Sequence, residues 1–182
     1  MTDKSRRFEA QALPHLDAAY NLARWLVRPP LDADDIMQDA MLRAYRAFDS
    51  RRGEDVKPWL LTIVRNCFLS AVRQAKRKED VPLPTDSEIA LADQSLIAGG
   101  PDPEAAAIQM DAHRQFNDLL ASVPAEFREV LVLREMEDLS YGEIAQIVGI
   151  PVGTVMSRLA RGRALLKENW HLSAGGGHHV MQ

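Results

Sequence analysis

The stretch DVPLPTDSEIALADQSLIAGGPDP, Asp80 to Pro103, constrains the fold more than any other part of this 182-residue chain. It sets Pro82, Pro84, Pro101, Pro103 and the pair Gly99-Gly100 in a polar, acidic background. Proline removes a backbone donor and clashes with the preceding turn, and glycine loses the most backbone entropy on ordering, so helical signal fails here. Structureless runs longer than about 12–15 residues are uncommon inside one compact domain. Residues 80–103 therefore read as a flexible linker between two small units, which the length of the chain allows.

Charge divides at the same place. Residues 1–79 carry fifteen Lys/Arg against eleven Asp/Glu, residues 80–110 none against six, and residues 111–182 seven against nine. The formal net charge of −4 thus resolves into a basic first unit, an acidic middle and a mildly acidic second unit. Phosphate neutralisation by Lys and Arg supplies most non-specific DNA affinity, so a chain of this balance is not expected to grip DNA unaided. No apolar run approaches the ~20 residues of a membrane span, and the start MTDKSRRFEA has no apolar signal-peptide core, so a cytoplasmic protein without membrane insertion is expected. The single cysteine, Cys67, excludes an internal disulfide and a thiol zinc framework, and reads as a small buried hydrophobe.

Both units read as all-α. In LPHLDAAYNLARWLV, apolar residues recur three and four apart at Leu13, Leu16, Tyr20, Ala23, Leu26 and Val27 until Pro29-Pro30 stops the pattern. Asp32 is a natural N-cap for a second helix with the stripe Ile36, Met37, Ala40, Met41, Ala44, Tyr45 and Phe48. Its other face begins with Asp34, Asp35 and Asp39, which the helix dipole favours in or near a first turn even without a function. After the loop DSRRGEDVK, Pro58 suits the first turn of a third helix, with Trp59, Leu60, Ile63, Val64, Cys67 and Phe68 on its apolar face. The far end of that helix is basic: Arg65, Arg73, Lys76, Arg77 and Lys78 precede the next acid, and Asn66 and Gln74 add groups able to meet base edges.

In the second unit, Asp102 and Pro103 read as N-cap and first residue of a helix through Leu120. Phe127, Val130, Leu131 and Leu133 follow as a buried stripe. Ser140 and Glu143 have the spacing of a capping box before SYGEIAQIV, and Gly149 suits its C-terminal cap. In PVGTVMSRLARGRALLKE, Val155, Leu159, Leu165 and Leu166 fall to the core side, leaving Thr154, Met156, Ser157, Arg158, Arg161 and Arg163 for the rest of the surface. A helix, a tight glycine-bearing turn and a second helix with a polar, basic N-terminal half is the pattern of a helix-turn-helix that enters the major groove. A generic helical hairpin with a solvated arginine face has the same pattern.

The ordered segments DADDIMQDAMLRAYRAF, KPWLLTIVRNCFL, the proline-rich linker and VPAEFREVLVLREMEDLSYGEIAQIVGIPVGTVMSRLARGR resemble the extracytoplasmic-function (ECF) sigma factors of bacterial RNA polymerase. The resemblance covers most of Phe8 to Glu168. It implies a dissociable promoter-specificity subunit with region 2 at residues 1–79, a linker at 80–103, region 4 at 104–170 and a disordered tail at 171–182. Region 2 is expected to dock on the β′ clamp helices of core polymerase through Asp35, Gln38 and Asp39, and to read and open the −10 element. The loop from Asp49 to Lys57 corresponds to a pocket for a flipped base, so Arg51, Arg52, Lys57, Arg65, Asn66, Arg73, Lys76 and Arg77 become −10 candidates. Thr154, Met156, Ser157, Arg158, Arg161 and Arg163 become −35 candidates. The β flap of the polymerase and an anti-sigma factor are further implied partners. The acidity is then no obstacle, because the polymerase supplies most of the grip on DNA.

Some positions depart from the commoner family pattern. Met156 stands where many relatives have Arg, Ala160 where several have an aromatic, and Ser70 where Asp often follows the Arg-Asn pair. The tail HLSAGGGHHVMQ lies beyond the family's shared core; His171, His178 and His179 have no carboxylate or thiol close by, so no metal site is expected. No catalytic residue, cofactor or small-molecule substrate is expected either: the chain has no HExxH, phosphate-binding glycine loop or nucleophile-His-acid set. The rival reading is a one-component helix-turn-helix regulator, which would need a sensing or dimerising domain in place of the first unit.

Overall fold

The computed structural model describes residues 2–28, 31–51, 53, 55–78 and 115–175, and among these every regular element is helical. The expected linker, the expected helix start at Asp102 and Pro103, the prolines 29 and 30, Arg52, and His178 and His179 lie outside the described residues.

Helix α1, Asp3–Ala12, precedes the first helix read from the sequence. Thr2 caps it by accepting from the Ser5 amide at 3.3 Å, and Phe8 anchors it, with ring centroids 5.3 Å from those of both Tyr45 and Phe48 in edge-on geometry. Its single aromatic and Ala12 are its only buried residues, too sparse a pattern for periodicity to detect. A 3-10 turn, Leu13–His15, leads into α2, Leu16–Leu26. The core face of α2 is rotated from the expected stripe: Ala18, Ala19, Leu22 and Ala23 are buried, whereas Leu13 is 45% exposed and Leu16, Tyr20, Leu26 and Val27 only partly covered. Alanines at these positions let α2 approach α3 and α4 closely, so close packing outweighs side-chain size in choosing the face.

Asp32 caps α3, Ala33–Ala47, as expected, accepting from the Asp34 amide at 2.9 Å. The predicted stripe is the buried one, with Ile36, Met37, Ala40, Ala44 and Phe48 in the core. Helix α4, Val56–Lys78, begins two residues before Pro58 and buries Leu60, Val64 and Cys67 against α2 and α3. Leu61, off that stripe, is also fully buried.

The second unit opens with α5, residues 115–121, followed by α6, Ala125–Leu131. Helix α6 passes straight into a π turn, Val132–Met136, in which the Glu137 amide donates to the Val132 carbonyl at 3.2 Å. Asp138 then takes a left-handed conformation, φ 52°, which Asp tolerates better than most residues. The Ser140–Glu143 capping box forms in both directions and starts α7, Tyr141–Val148; Gly149 ends it at φ 71°, where an L side chain is strained. Helix α8, Val152–Gly175, crosses α6 and α7, and runs through residues 171–175 that the sequence assigned to the tail. Val155 and Leu159 are buried as expected, and Leu165 and Leu166 pack partly buried against the same core.

The two units pack on each other, α4 against α7 and α2 against α6. That contact accounts for the burial of Glu129, which pairs with Arg65, while Arg128 is buried with its guanidinium donating to the Ala121 carbonyl of its own unit; the π turn rotates the faces that follow it.

Candidate nucleic-acid interface

Helix α8 carries its core contacts at Val155, Leu159 and Gly162, which by helical periodicity lie on one side. Met156, Ser157, Arg161 and Arg163 are exposed around the remaining surface, with Thr154 and Arg158 half-buried at its margin. Val152, 44% exposed, lies one turn before Met156, 53% exposed, and extends the exposed face beyond the residues legible in the sequence. Two of the arginines are tied back to their own domain. Arg163 donates through Nε and Nη2 to Glu135 Oε1 at 3.0 and 2.6 Å, and this partner raises its pKa further. Arg158 Nη2 lies 3.6 Å from Glu126 Oε2. Arg161 is exposed and makes no ion pair among the described residues, which leaves its five donors available to a bidentate acceptor. The tight turn at Gly149 and the capping box of α7 fix the angle at which α8 leaves the domain.

On α4, Arg65, Asn66, Arg73, Lys76 and Arg77 fall on one face at 3.6-residue periodicity. Asn66, Arg73, Lys76 and Arg77 are exposed. Lys57, Leu61 and Arg65 form a ridge at successive four-residue steps, and its two cations point into the second unit. Lys57 Nζ lies 3.0 Å from Glu137 Oε2 and donates to the Glu137 carbonyl at 2.8 Å. Arg65 Nε donates to Glu129 Oε1. Both carboxylates are largely buried, their side chains 5% and 9% exposed. Asn21 Nδ2 adds a long contact to Glu137 Oε1 at 3.5 Å. Arg51 is held within the first unit, its guanidinium 4.6 Å above the Phe48 ring and donating to Gln11 Oε1 at 2.7 Å. Glu129 and Glu137 are not legible as partners in the sequence, because residues 64 and 80 positions apart meet only in the tertiary structure.

The acidic end of α3 is divided. Asp35 and Gln38 are exposed, and Asp39 accepts from Arg43 in a two-pronged pair, Nε at 2.9 Å and Nη2 at 2.8 Å. Asp39 is therefore already partly neutralised, and Asp35 is the more available charge. Near Asp39, burial pushes the Cys67 thiol up to about 11, with Asp39 adding to the rise, so the thiol stays protonated. No group of three metal-ligating side chains occurs among the described residues, and no helix among them is long and apolar enough to cross a membrane.

Comparison with known proteins bears on both units. Residues 13–78 match Sigma-70 region 2, and residues 113–166 match Sigma-70, region 4. The chain is 34% identical over 154 residues to the ECF RNA polymerase sigma factor SigE of Mycolicibacterium smegmatis, covering 85% of this chain and 58% of that protein. It is 32% identical over 158 residues to the ECF RNA polymerase sigma factor SigW of Bacillus subtilis, covering 84% of this chain and 82% of that protein. Among solved structures, the sigma factor RpoE of Bartonella quintana in complex with the anti-sigma factor NepR overlays with a TM-score of 0.70 at 28% identity, over 90% of this chain and 96% of that one.

Proposed function

The chain belongs to the sigma-70 family, in its ECF group, and from that premise we propose that it is a dissociable sigma subunit that directs a bacterial core RNA polymerase to promoters. The observation that carries this reading is the pairing in one chain of a capped helix-turn-helix whose reading face is exposed with a region 2 domain whose α4 presents exposed cations beside Asn66. A one-component regulator has no use for the second of these.

In this reading α8 enters the −35 major groove, where Arg161 reads a base edge, Thr154, Met156 and Ser157 line the groove, and Arg158 and Arg163 engage phosphates or the groove margin. Helix α4 tracks the separated −10 strand: Arg73, Lys76 and Arg77 neutralise phosphates, and Asn66 meets an unstacked base whose Watson–Crick edge a closed duplex would hide. Arg51 and Arg52 add cations that engage the separated strand at the flipped base. Asp35, Gln38 and Asp39 dock on the β′ clamp helices, and region 4 meets the β flap. Charge complementarity at such a docking surface governs encounter and register more than raw affinity. The chain works in the cytoplasm, performs no chemistry of its own and needs no cofactor. An anti-sigma factor controls it, a reading supported by the relative solved with NepR.

The test is reconstitution. Purified chain added to core polymerase is expected to yield promoter-specific transcripts from a promoter library, while the chain alone shifts the same duplexes poorly at physiological salt. Tight duplex binding by the free chain with no transcript from the holoenzyme would establish a regulator instead.

A further inference from the structure

Resting on that reading, we infer that Val152 and Met156 read thymine: their side chains meet the C5-methyl groups of two T·A pairs in the −35 element. Val152, Met156 and Ala160 follow one another at four-residue steps, so they form a single apolar line along α8, and all three are exposed. The core of region 4 leaves this line uncovered, because Val155, Leu159 and Gly162 make the packing contacts of the helix. At ~1.5 Å of rise per residue, Val152 and Met156 sit ~6 Å apart along α8, which spans about two steps of base pairs stacked ~3.4 Å apart. Each side chain therefore faces a base pair of its own.

The polar neighbours of this line are already engaged within the protein. Ser157 donates its hydroxyl to the Thr154 carbonyl at 3.0 Å, Arg158 lies against Glu126, and Arg163 is paired with Glu135. Arg161, on the adjoining line of α8, offers donors to a base edge, whereas Val152 and Met156 offer only carbon and a weakly accepting sulfur. In the major groove thymine alone presents a methyl group, so a side chain without a donor finds its match there. Set against the cytosine amine or the guanine edge, the same side chain removes water and returns no hydrogen bond. Burying one methyl group against Val152 or Met156 favours thymine about fourfold over the same base without its methyl. The unbranched, flexible Met156 side chain adapts its reach to that group, and the arginine beside it anchors the helix in the groove.

Uracil is thymine without its C5-methyl group, so it deletes the contact and leaves the pairing and the donors and acceptors of the groove in place. Duplexes randomised across the −35 region are selected by the holoenzyme, and by the full-length chain alone at about 50 mM salt, where phosphate contacts are strong enough for the free chain to bind. Thymine is expected at two positions about two steps apart. Uracil at either should weaken binding about fourfold, while uracil outside the −35 element has no effect. Met156→Ala should abolish the penalty at one position and Val152→Ala at the other; both sites are exposed, so both variants should keep their helicity. Selected elements without thymine, or full binding to the uracil duplexes, overturn the inference, as does a uracil penalty that persists unchanged in both variants. Should a variant lose helicity, the uracil series on the unmodified chain decides by itself. The sigma reading fails separately: a chain that tells thymine from uracil but yields no transcript with core polymerase keeps the methyl reading and loses that function. Promoter-specific transcripts that ignore uracil keep the function and lose the methyl reading.

Discussion

Gly162 sets two known effects against each other, and the structure says which one wins. It is buried where α8 crosses α6, and a Cβ built on it would lie 2.8 Å from Leu131 Cδ1, 3.1 Å from Leu131 Cγ and 3.3 Å from Phe127 Cβ. Replacing a mid-helix glycine with alanine ordinarily gains about 1 kcal/mol of helix propensity. Against it, Leu131 would have to retreat by most of an ångström to reach ordinary contact, and Leu131 is 1% exposed beside Val130, Val155 and Leu159, none above 1%. Inserting a methyl into such a core costs typically 1–3 kcal/mol, and Phe127 Cβ is bonded to the backbone of α6 and cannot swing away. Gly162→Ala is therefore expected to destabilise region 4 by up to about 2 kcal/mol net, at about 4–8 °C in Tm per kcal/mol for a domain of this size. Gly153, exposed on the same helix with nothing within 4 Å of an added Cβ, is the control, and its alanine variant should be neutral or gain up to about 1 kcal/mol. Urea unfolding followed by circular dichroism gives the comparison, with an unchanged slope required so that the midpoint reports stability. If Gly162→Ala is as stable as Gly153→Ala, the close approach of α8 to α6 has slack and the clash argument is wrong.

Two further outcomes concern the reading helix and its support. Ser140→Ala should cost region 4 about 1 kcal/mol near neutral pH, because it removes the N-cap of α7. Ser140 also holds the Glu143 carboxyl below its usual range through its side-chain and backbone hydrogen bonds. A depressed carboxylate stabilises fully above its unfolded value and loses that contribution as pH falls through its folded value. The gap between wild type and Ser140→Ala is thus expected to narrow below about pH 4.3, the ordinary Glu value; denaturation midpoints across pH 2–7 that keep a constant gap would refute the cap assignment. Arg161→Ala should cost about 1–3 kcal/mol at a single −35 position and relax preference there, while Arg163→Ala weakens all sequences alike and lowers the salt slope by about one. Transcription from a randomised −35 library reads both, and identical preferences in wild type and Arg161→Ala would remove Arg161 from base reading.

What the sequence determined by itself was a set of local signals. The α3 stripe, the Asp32 cap, the Ser140–Glu143 box and the Gly149 turn are each specified by residues within a turn or two, so their physics is complete in a short window. The family resemblance was legible for the same reason, since its motifs are runs of such local signals in order. Other features were decided only when distant segments met. The core face of α2 went to Ala18, Ala19, Leu22 and Ala23 because two neighbouring helices demanded small residues, which no single-helix pattern reveals. Helix α1 is held by one phenylalanine against Tyr45 and Phe48, a contact that periodicity within α1 cannot signal. Among the site residues, Lys57 and Arg65 are −10 candidates in the sequence, and only the fold shows them paired with Glu137 and Glu129 of the other domain; likewise Arg158 and Arg161 are alike in the sequence until Glu126 pairs with the first and leaves Arg161 without an ion pair among the described residues. Charge pairing across a fold depends on which surfaces come together and lose water, and that is a property of the packed chain and not of any stretch of it.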